Sequence, residues 1–268
     1  MTSLQDHFTA KTIVITGAAS GIGQDLALLF ASYGARLALS DLRPDPLEVV
    51  AAACREAGAE VLVSAADVSD AAAMDGIAAQ VLDRWGHADL VIANAGMGGL
   101  NPADAFDPEI HRRTVAVNAL GLANTVAPFI PGMVARRSGH LACVASLAAF
   151  RGLPNAASYS STKAYQSTFM ESLRVDLRKH GVAVTCLYPG FVSTPMTDHD
   201  AFDMPFMVPV RKASLLMARA LMRRKARYLF PWQMRWLTLL NRLLPCWLFD
   251  RLVPRLSSQP RQLKARTF

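Results

Sequence analysis

Several chemistries are missing from this sequence. It has four cysteines, Cys54, Cys143, Cys186 and Cys246, with no CxxC pair and no cysteine beside a histidine at zinc-ligand spacing. Cys143 and Cys186 fall inside apolar runs, so reduced, inert core thiols are expected. The six histidines are scattered and no HExxH occurs, which leaves no metal site indicated. No stretch reaches the roughly 20 apolar residues that span a bilayer, because Arg235 and Arg242 interrupt the best candidate. The opening MTSLQDHFTAKTIV carries an acid and no apolar h-region, so it does not read as a secretory signal and the cytoplasmic side is the default location. Repeats, low-complexity tracts and linkers are absent as well, and one domain is expected for 268 residues.

Acids are scarce at one end. From Pro205 to Phe268 there are 14 Lys or Arg against a single acid, Asp250, whereas Met1 to Met204 holds 14 against 20. The net charge of +7 therefore belongs to the tail. A basic tail bearing tryptophan points to an anionic surface such as lipid headgroups more than to nucleic acid, for which neither the regular motifs nor a base-stacking sheet is evident.

Short apolar runs alternate with longer helical patterns. The runs are TIVIT at 12–16, RLALS at 36–40, EVLVS at 60–64, ADLVIAN at 88–94, HLACVAS at 140–146 and VAVTCLY at 182–188, with KARYLF at 225–230 as a further candidate. Near-continuous apolar strands separated by helices predict a doubly wound α/β domain, with a parallel sheet covered on both faces. Gly34, Gly58 and Gly181 punctuate helix ends, and Asp70 reads as the N-cap of a helix running to about Trp85.

TIVITGAASGIGQDLALLF reads as strand, glycine-rich turn and helix. Gly17, Gly21 and Gly23 let backbone approach a pyrophosphate, whose charge then meets free N–H groups at the positive end of the helix. Three glycines alone would describe any tight turn, but their place between a first strand and a first helix predicts a dinucleotide site. Asp41 closes the second strand, where a carboxylate accepts the ribose hydroxyls of NAD and repels a 2′-phosphate. Arg43, two positions on, softens that preference, so NADP is not excluded. Asp67 and Val68 are expected to end the third strand, and Asn94, Ala95 and Gly96 the fourth, at the sheet edge where ligands bind.

Tyr159 and Lys163 stand four positions apart in YSSTK, about one helical turn. By itself such a pair is ordinary surface decoration. A free phenol holds its proton to about pH 10, and a cation beside it stabilises the phenolate, so the pair is suited to acid–base work near neutrality.

Taken together, TGAASGIG at 16–23, NAG at 94–96, Asn118 in VAVN, Ser146, YSSTK and PG at 189–190 followed by Val192 and Thr194 closely resemble the motifs of the short-chain dehydrogenase/reductase family in its classical form. The resemblance covers about residues 10 to 200 and implies a Rossmann-like single domain. It implies catalysis by Asn118, Ser146, Tyr159 and Lys163: Tyr159 exchanges the proton, Ser146 orients the oxyanion, Lys163 also holds the nicotinamide ribose, and Asn118 anchors a water chain. Cofactor contacts are implied at Gly17, Ser20, Gly21, Ile22 and Gly23, at Asp41, Asp67 and Val68, at Asn94, Ala95 and Gly96, at Tyr159 and Lys163, and at Pro189, Gly190, Val192 and Thr194. The long helices near 105–130 and 157–180 are expected to support a homo-oligomer. A cofactor-binding regulatory scaffold without catalysis is the competing function, and the presence of all three of Ser146, Tyr159 and Lys163 argues against it.

The expected division is a catalytic domain over residues 1–230, with a lid near 190–210, and a basic amphipathic extension over 231–268. The lid is rich in Met, Phe and Pro, which suits an adaptable pocket for a hydrophobic, lipid-like substrate, although simple packing of the loop would use the same residues. In the extension, Trp232, Trp236, Leu239, Leu240, Leu243 and Trp247 fall within an arc of roughly 100°, with Arg235 and Arg242 on the other side and Pro245 dividing two helices from the first turn of the second. That stripe calls for burial against the pocket mouth, a second subunit or a membrane interface.

Overall fold

The structure, a computed structural model, describes residues 3–197 and 205–257. A short helix, α1 (Leu4–Phe8), leads into β1 (Thr12–Thr16), α2 (Gly21–Ala31), β2 (Arg36–Asp41), α3 (Pro44–Glu56), β3 (Val61–Ala65), α4 (Ala71–Trp85) and β4 (Leu90–Ala93). Then come α5 (Pro108–Val115), α6 (Gly121–Val126) and α7 (Ile130–Ala135), β5 (Gly139–Val144), α8 (Ala157–Leu177) and β6 (Val182–Pro189). A small pair, β7 (Val192–Ser193) and β8 (Val208–Pro209), precedes α9 (Val210–Met222), β9 (Arg227–Phe230), α10 (Trp232–Leu243) and α11 (Cys246–Ser257).

Seven strands form one sheet in the order β3-β2-β1-β4-β5-β6-β9, every neighbouring pair parallel. Every residue of β1, β4 and β5 is buried, as a sheet covered on both faces requires. On one face Ile13, Ile15, Leu37 and Leu39 pack with Leu26 and Phe30 of α2 and Met217 and Leu221 of α9. On the other, Val14, Val91, Leu141 and Cys143 pack with Val81 of α4, Val126, Phe129, Met133 and Met170 of α8. Each such buried side chain contributes about 1.5–3 kcal/mol of transfer free energy. The strand order reverses between β1 and β4, and the carboxyl ends there frame a crevice.

Three expectations need correction. β3 stops at Ala65, so Asp67 and Val68 lie past the strand: Asp67 Oδ1 accepts from the Ser69 N–H and hydroxyl, each at 2.8 Å, and this local turn takes the chain out of the ladder. The segments α5, α6 and α7 run on as one helix, Pro108–Ala135, long and apolar enough by length and composition to cross a membrane. Sequence reading missed such a stretch, and its apolar residues pack on the sheet, with Leu122, Val126, Phe129 and Met133 buried. Finally, Pro245 precedes α11 rather than joining its first turn, its carbonyl accepting from the N–H groups of Leu248 and Phe249.

Arg151 ties both helices of the tail to the domain. Arg151 Nη1 donates to the carbonyls of Asn241 at 2.6 Å and Leu244 at 2.8 Å, and its guanidinium lies 3.9 Å from the Phe249 ring centroid. Asn241 lies in the last turn of α10, where its carbonyl also accepts from the N–H of the C-cap residue Leu244 at 3.3 Å. Residues 198–204 of the expected lid and 258–268 of the extension lie outside the described residues.

Candidate active site

The glycine turn is closed tightly on itself and on β4. A Cβ on Gly23 would lie 2.1 Å from the Gly17 carbonyl oxygen, and one on Gly17, where φ is +67°, 2.7 Å from Ala95 Cα. Asn94 Nδ2 donates to the carbonyls of Thr16 and Gly17, both at 3.0 Å, so its carboxamide holds the turn in shape. Thr16 Oγ1, which sequence reading passed over, accepts from the Asn94 and Ala95 N–H groups at 3.2 Å. Ser20 stands at the N-cap of α2 without capping it. The first N–H groups of that eleven-residue helix are thus open to an anion, and the turn fits a pyrophosphate.

At the adenosine end, Asp41 is engaged on both oxygens. Oδ2 accepts from the Ala19 N–H at 3.0 Å, and Oδ1 from the Arg43 N–H and Nε at 3.1 and 3.2 Å. Arg43 Nη2 reaches on to Ser20 Oγ at 2.9 Å. The arginine folds over the carboxylate and tempers the charge that would otherwise face a ribose. Thr194 stands against Gly21, its Cβ 3.4 Å from a Cβ built there, and β7 and β8 place Val192 and Val208 in the core below. Ile22 packs on the same core, and Val68 is wedged against Gly121. Pro189 ends β6, and the Gly190 N–H donates to the Phe230 carbonyl at 2.8 Å.

The reacting groups gather beyond β4 and β5. Lys163, 4% exposed, has its Nζ 5.5 Å from the centroid of the Tyr159 ring, as one-turn spacing along α8 requires. That ammonium donates to the Val144 carbonyl and to Gln166 Oε1, each at 3.0 Å. Gln166 in turn donates to the Asn118 main-chain carbonyl at 2.7 Å. Asn118 sits in a π-helical turn, Ala116–Leu120, between α5 and α6. Its carboxamide accepts from the Met97 N–H at 2.8 Å and donates to the Met97 carbonyl at 2.9 Å and to Thr162 Oγ1 at 3.0 Å. A Cβ on Gly96 would lie 3.2 Å from Asn118 Oδ1 and 3.6 Å from Lys163 Nζ, so the backbone approaches both.

Ser146 follows β5 by two residues, and its Oγ accepts from the Ala148 N–H at 3.1 Å, which leaves the hydroxyl proton free to donate. The half-buried Tyr159 presents a ring edge 3.9 Å from a Cβ built on Gly98, with Met196 Sδ 3.5 Å from the same point. The site thus joins the glycine turn, Asn94, Gly96, Asn118, Tyr159 and Lys163 in one crevice, with Met196 at its rim. Gln166 escaped sequence reading because a glutamine three residues past a lysine is common on any helix.

The four cysteines are free, three buried and Cys246 exposed, and burial pushes the Cys54 thiol up to about 11. Cys143 and Cys186 are register partners on β5 and β6.

Residues 11–204 match the family model described as short chain dehydrogenase. An uncharacterized oxidoreductase of Myxococcus xanthus is 42% identical over 247 residues, 92% of this chain and 97% of that protein. That alignment runs on past residue 204, so the likeness reaches into the C-terminal part. Among solved structures, a short-chain dehydrogenase/reductase from Burkholderia phymatum in complex with NAD is 25% identical with a TM-score of 0.81, over 96% of this chain and 99% of that one. An alcohol dehydrogenase from the archaeon Thermococcus sibiricus, complexed with 5-hydroxy-NADP, is 26% identical with a TM-score of 0.74, over 82% and 96%. The family match and the Myxococcus relative together establish that this chain belongs to the short-chain dehydrogenase/reductase family of oxidoreductases.

Proposed function

We propose that this chain interconverts a carbonyl and a secondary alcohol on a small hydrophobic, lipid-like substrate, with Tyr159 as general acid and base. The observation that carries the reading is the buried Lys163 ammonium beside the Tyr159 ring, next to a turn shaped for pyrophosphate. A bound nicotinamide dinucleotide supplies or accepts the hydride. Tyr159 donates its proton to the carbonyl oxygen in reduction and takes the alcohol proton in oxidation. Lys163 holds its ammonium beside the ring, and with two of its three N–H groups engaged it has one left for a ligand. Ser146 donates its free hydroxyl proton to the developing oxyanion.

Asn118 is expected to anchor a water chain; its main-chain carbonyl accepts one bond from Gln166 and keeps a second lone pair, and Gln166 links Asn118 to Lys163. Gly17, Ser20 to Gly23, Asp41, Asp67, Val68, Asn94 to Gly96, Tyr159, Lys163, Pro189, Gly190, Val192 and Thr194 would hold the dinucleotide. NAD is favoured by Asp41, and the Arg43 guanidinium at 3.2 Å leaves NADP usable. Residues 231–268 are an appendage of the single catalytic domain, and the exposed Leu120, Tyr165 and Val175 on the long helices suit a homo-oligomer. Met196, Phe206 and Met207, all exposed, form an apolar rim for the substrate.

The test is a screen of apolar ketones and secondary alcohols followed by nicotinamide absorbance, with NAD and with NADP, on the wild type beside Tyr159→Phe. Turnover is expected to fall by about a hundredfold or more in the variant while dinucleotide affinity is retained. Equal turnover in the two proteins refutes the acid–base role, and dinucleotide binding with no wild-type turnover across the screen favours the non-catalytic scaffold.

A further inference from the structure

Trp232, Trp236, Leu240 and Leu243 recur at intervals of three or four residues along α10, Trp247 follows on α11 after the extended Leu244, and each is between 58% and 81% exposed. This face is presented outward by a segment that is itself held. Met234 packs into the core on the α8 side of the sheet, and Arg151 clamps the end of α10 and the Phe249 ring. The stripe therefore belongs to a docked element whose other side is already used, and burying three tryptophans and two leucines remains a large unmet gain.

Charge decides what covers it. At about 100° per residue, Arg235 and Arg242 lie at the flank of the α10 stripe rather than opposite it, and with Arg251 of α11 they are exposed, while the single acid on the two helices is Asp250. Arg255 also falls within α11, and the sequence beyond adds Arg261, Lys264 and Arg266 and no acid. A second copy meeting this stripe about a two-fold axis would bring the same cations face to face with almost no carboxylate between them. An anionic bilayer surface meets both needs, taking tryptophan and leucine into the headgroup boundary while its phosphates neutralise arginine and lysine.

We propose that α10 and α11 dock this protein on an anionic lipid surface, with the tryptophan–leucine stripe seated in the interface. The docked helix begins close to the reacting centre. Pro231, which starts α10, has its Cδ 3.2 Å from a Cβ built on Gly190, and α10 packs on the turn Leu147–Ala149 that follows Ser146. Resting on the function proposed above, this places the mouth of the site beside the membrane, where an apolar ketone or alcohol enters without crossing water.

The experiment uses the full chain, without cofactor, and vesicles of phosphatidylcholine with and without phosphatidylglycerol. Co-sedimentation and tryptophan emission are the readouts, since three of the four tryptophans are on the stripe. The wild type is expected to pellet with the anionic vesicles and shift its emission to the blue, more weakly as salt rises. Combined Arg235→Gln, Arg242→Gln and Arg251→Gln is expected to weaken partitioning on the order of a hundredfold. Combined Trp232→Ser, Trp236→Ser and Trp247→Ser is expected to abolish it, with the circular dichroism of the fold retained. Absence of wild-type binding, or equal binding by all three proteins, overturns the proposal. So does a halving of the particle mass in solution on the tryptophan substitutions, which assigns the stripe to a second copy. Turnover of a water-soluble ketone, measured separately, reports on the catalytic reading alone.

Discussion

A lysine ammonium buried to 4% exposure must find acceptors, because an unpaired charge in a low-dielectric interior costs several kcal/mol. Lys163 finds the Val144 carbonyl and Gln166 Oε1, and Gln166 uses its own donor on the Asn118 carbonyl. One amide thus couples the acid–base pair on α8 to the π-helical turn that carries Asn118. Gln166→Met keeps the volume and removes both bonds. It is expected to lower kcat/KM by about tenfold, the rate equivalent of one hydrogen bond of ~1.4 kcal/mol, and unchanged kinetics would show that Gln166 only packs. Gln166→Glu keeps the acceptor for Lys163 and loses the donor to Asn118, which separates the two contributions. Tyr159 and Lys163 were legible as a pair because four residues make about one turn, whereas their tie to Asn118 spans 48 positions and has no local signature.

Among the elements, those with chemistry at their ends were the most legible. Asp70 accepts from the N–H groups of Ala72 and Ala73, and Gly86 closes α4 in the left-handed region at φ +75°, as a capped helix requires. The buried strands were legible to within a few residues because both of their faces are apolar. The full length of the helix over Pro108–Ala135 was not, since Pro128, Pro131 and the π turn interrupt its period. The position of α10 and α11 depends on Arg151, which no pattern in the tail announces. Arg151→Ala removes the donors to Asn241 and Leu244 and the contact with Phe249. Chymotryptic cleavage between residues 232 and 252 is expected to quicken by about tenfold or more while the rest of the chain stays resistant. Unchanged cleavage would show that the tail is held elsewhere.

Across the whole molecule, stability is linked to pH through a histidine remote from the chemistry. His140 on β5 is buried and bonded through Nε2 to Thr185 Oγ1 at 2.7 Å on β6. Burial, with smaller repulsion from Arg224 and His7, pushes it down from 6.5 to about 3. Between those values the unfolded chain binds a proton that the folded chain refuses. Stability therefore falls as pH drops through that window, by up to ~1.4 kcal/mol per pH unit, and the loss is absent above about 6.5. In urea titrations from about neutrality down to about pH 4, His140→Gln is expected to flatten this slope. An unaltered slope would place the acid sensitivity in other groups.

The sequence by itself determined the kind of each element and the residues offered for chemistry, because apolar period, caps, the glycine turn and one-turn spacing are set by neighbours along the chain. Tertiary structure alone decided that β1 lies beside β4, that Arg43 covers Asp41, that Gln166 bridges Lys163 and Asn118, and that Arg151 seats α10 with its tryptophans outward. Such partners meet only once the sheet has formed, through packing and hydrogen bonding across 90 positions and more, and the short-range preferences of a chain carry no record of them.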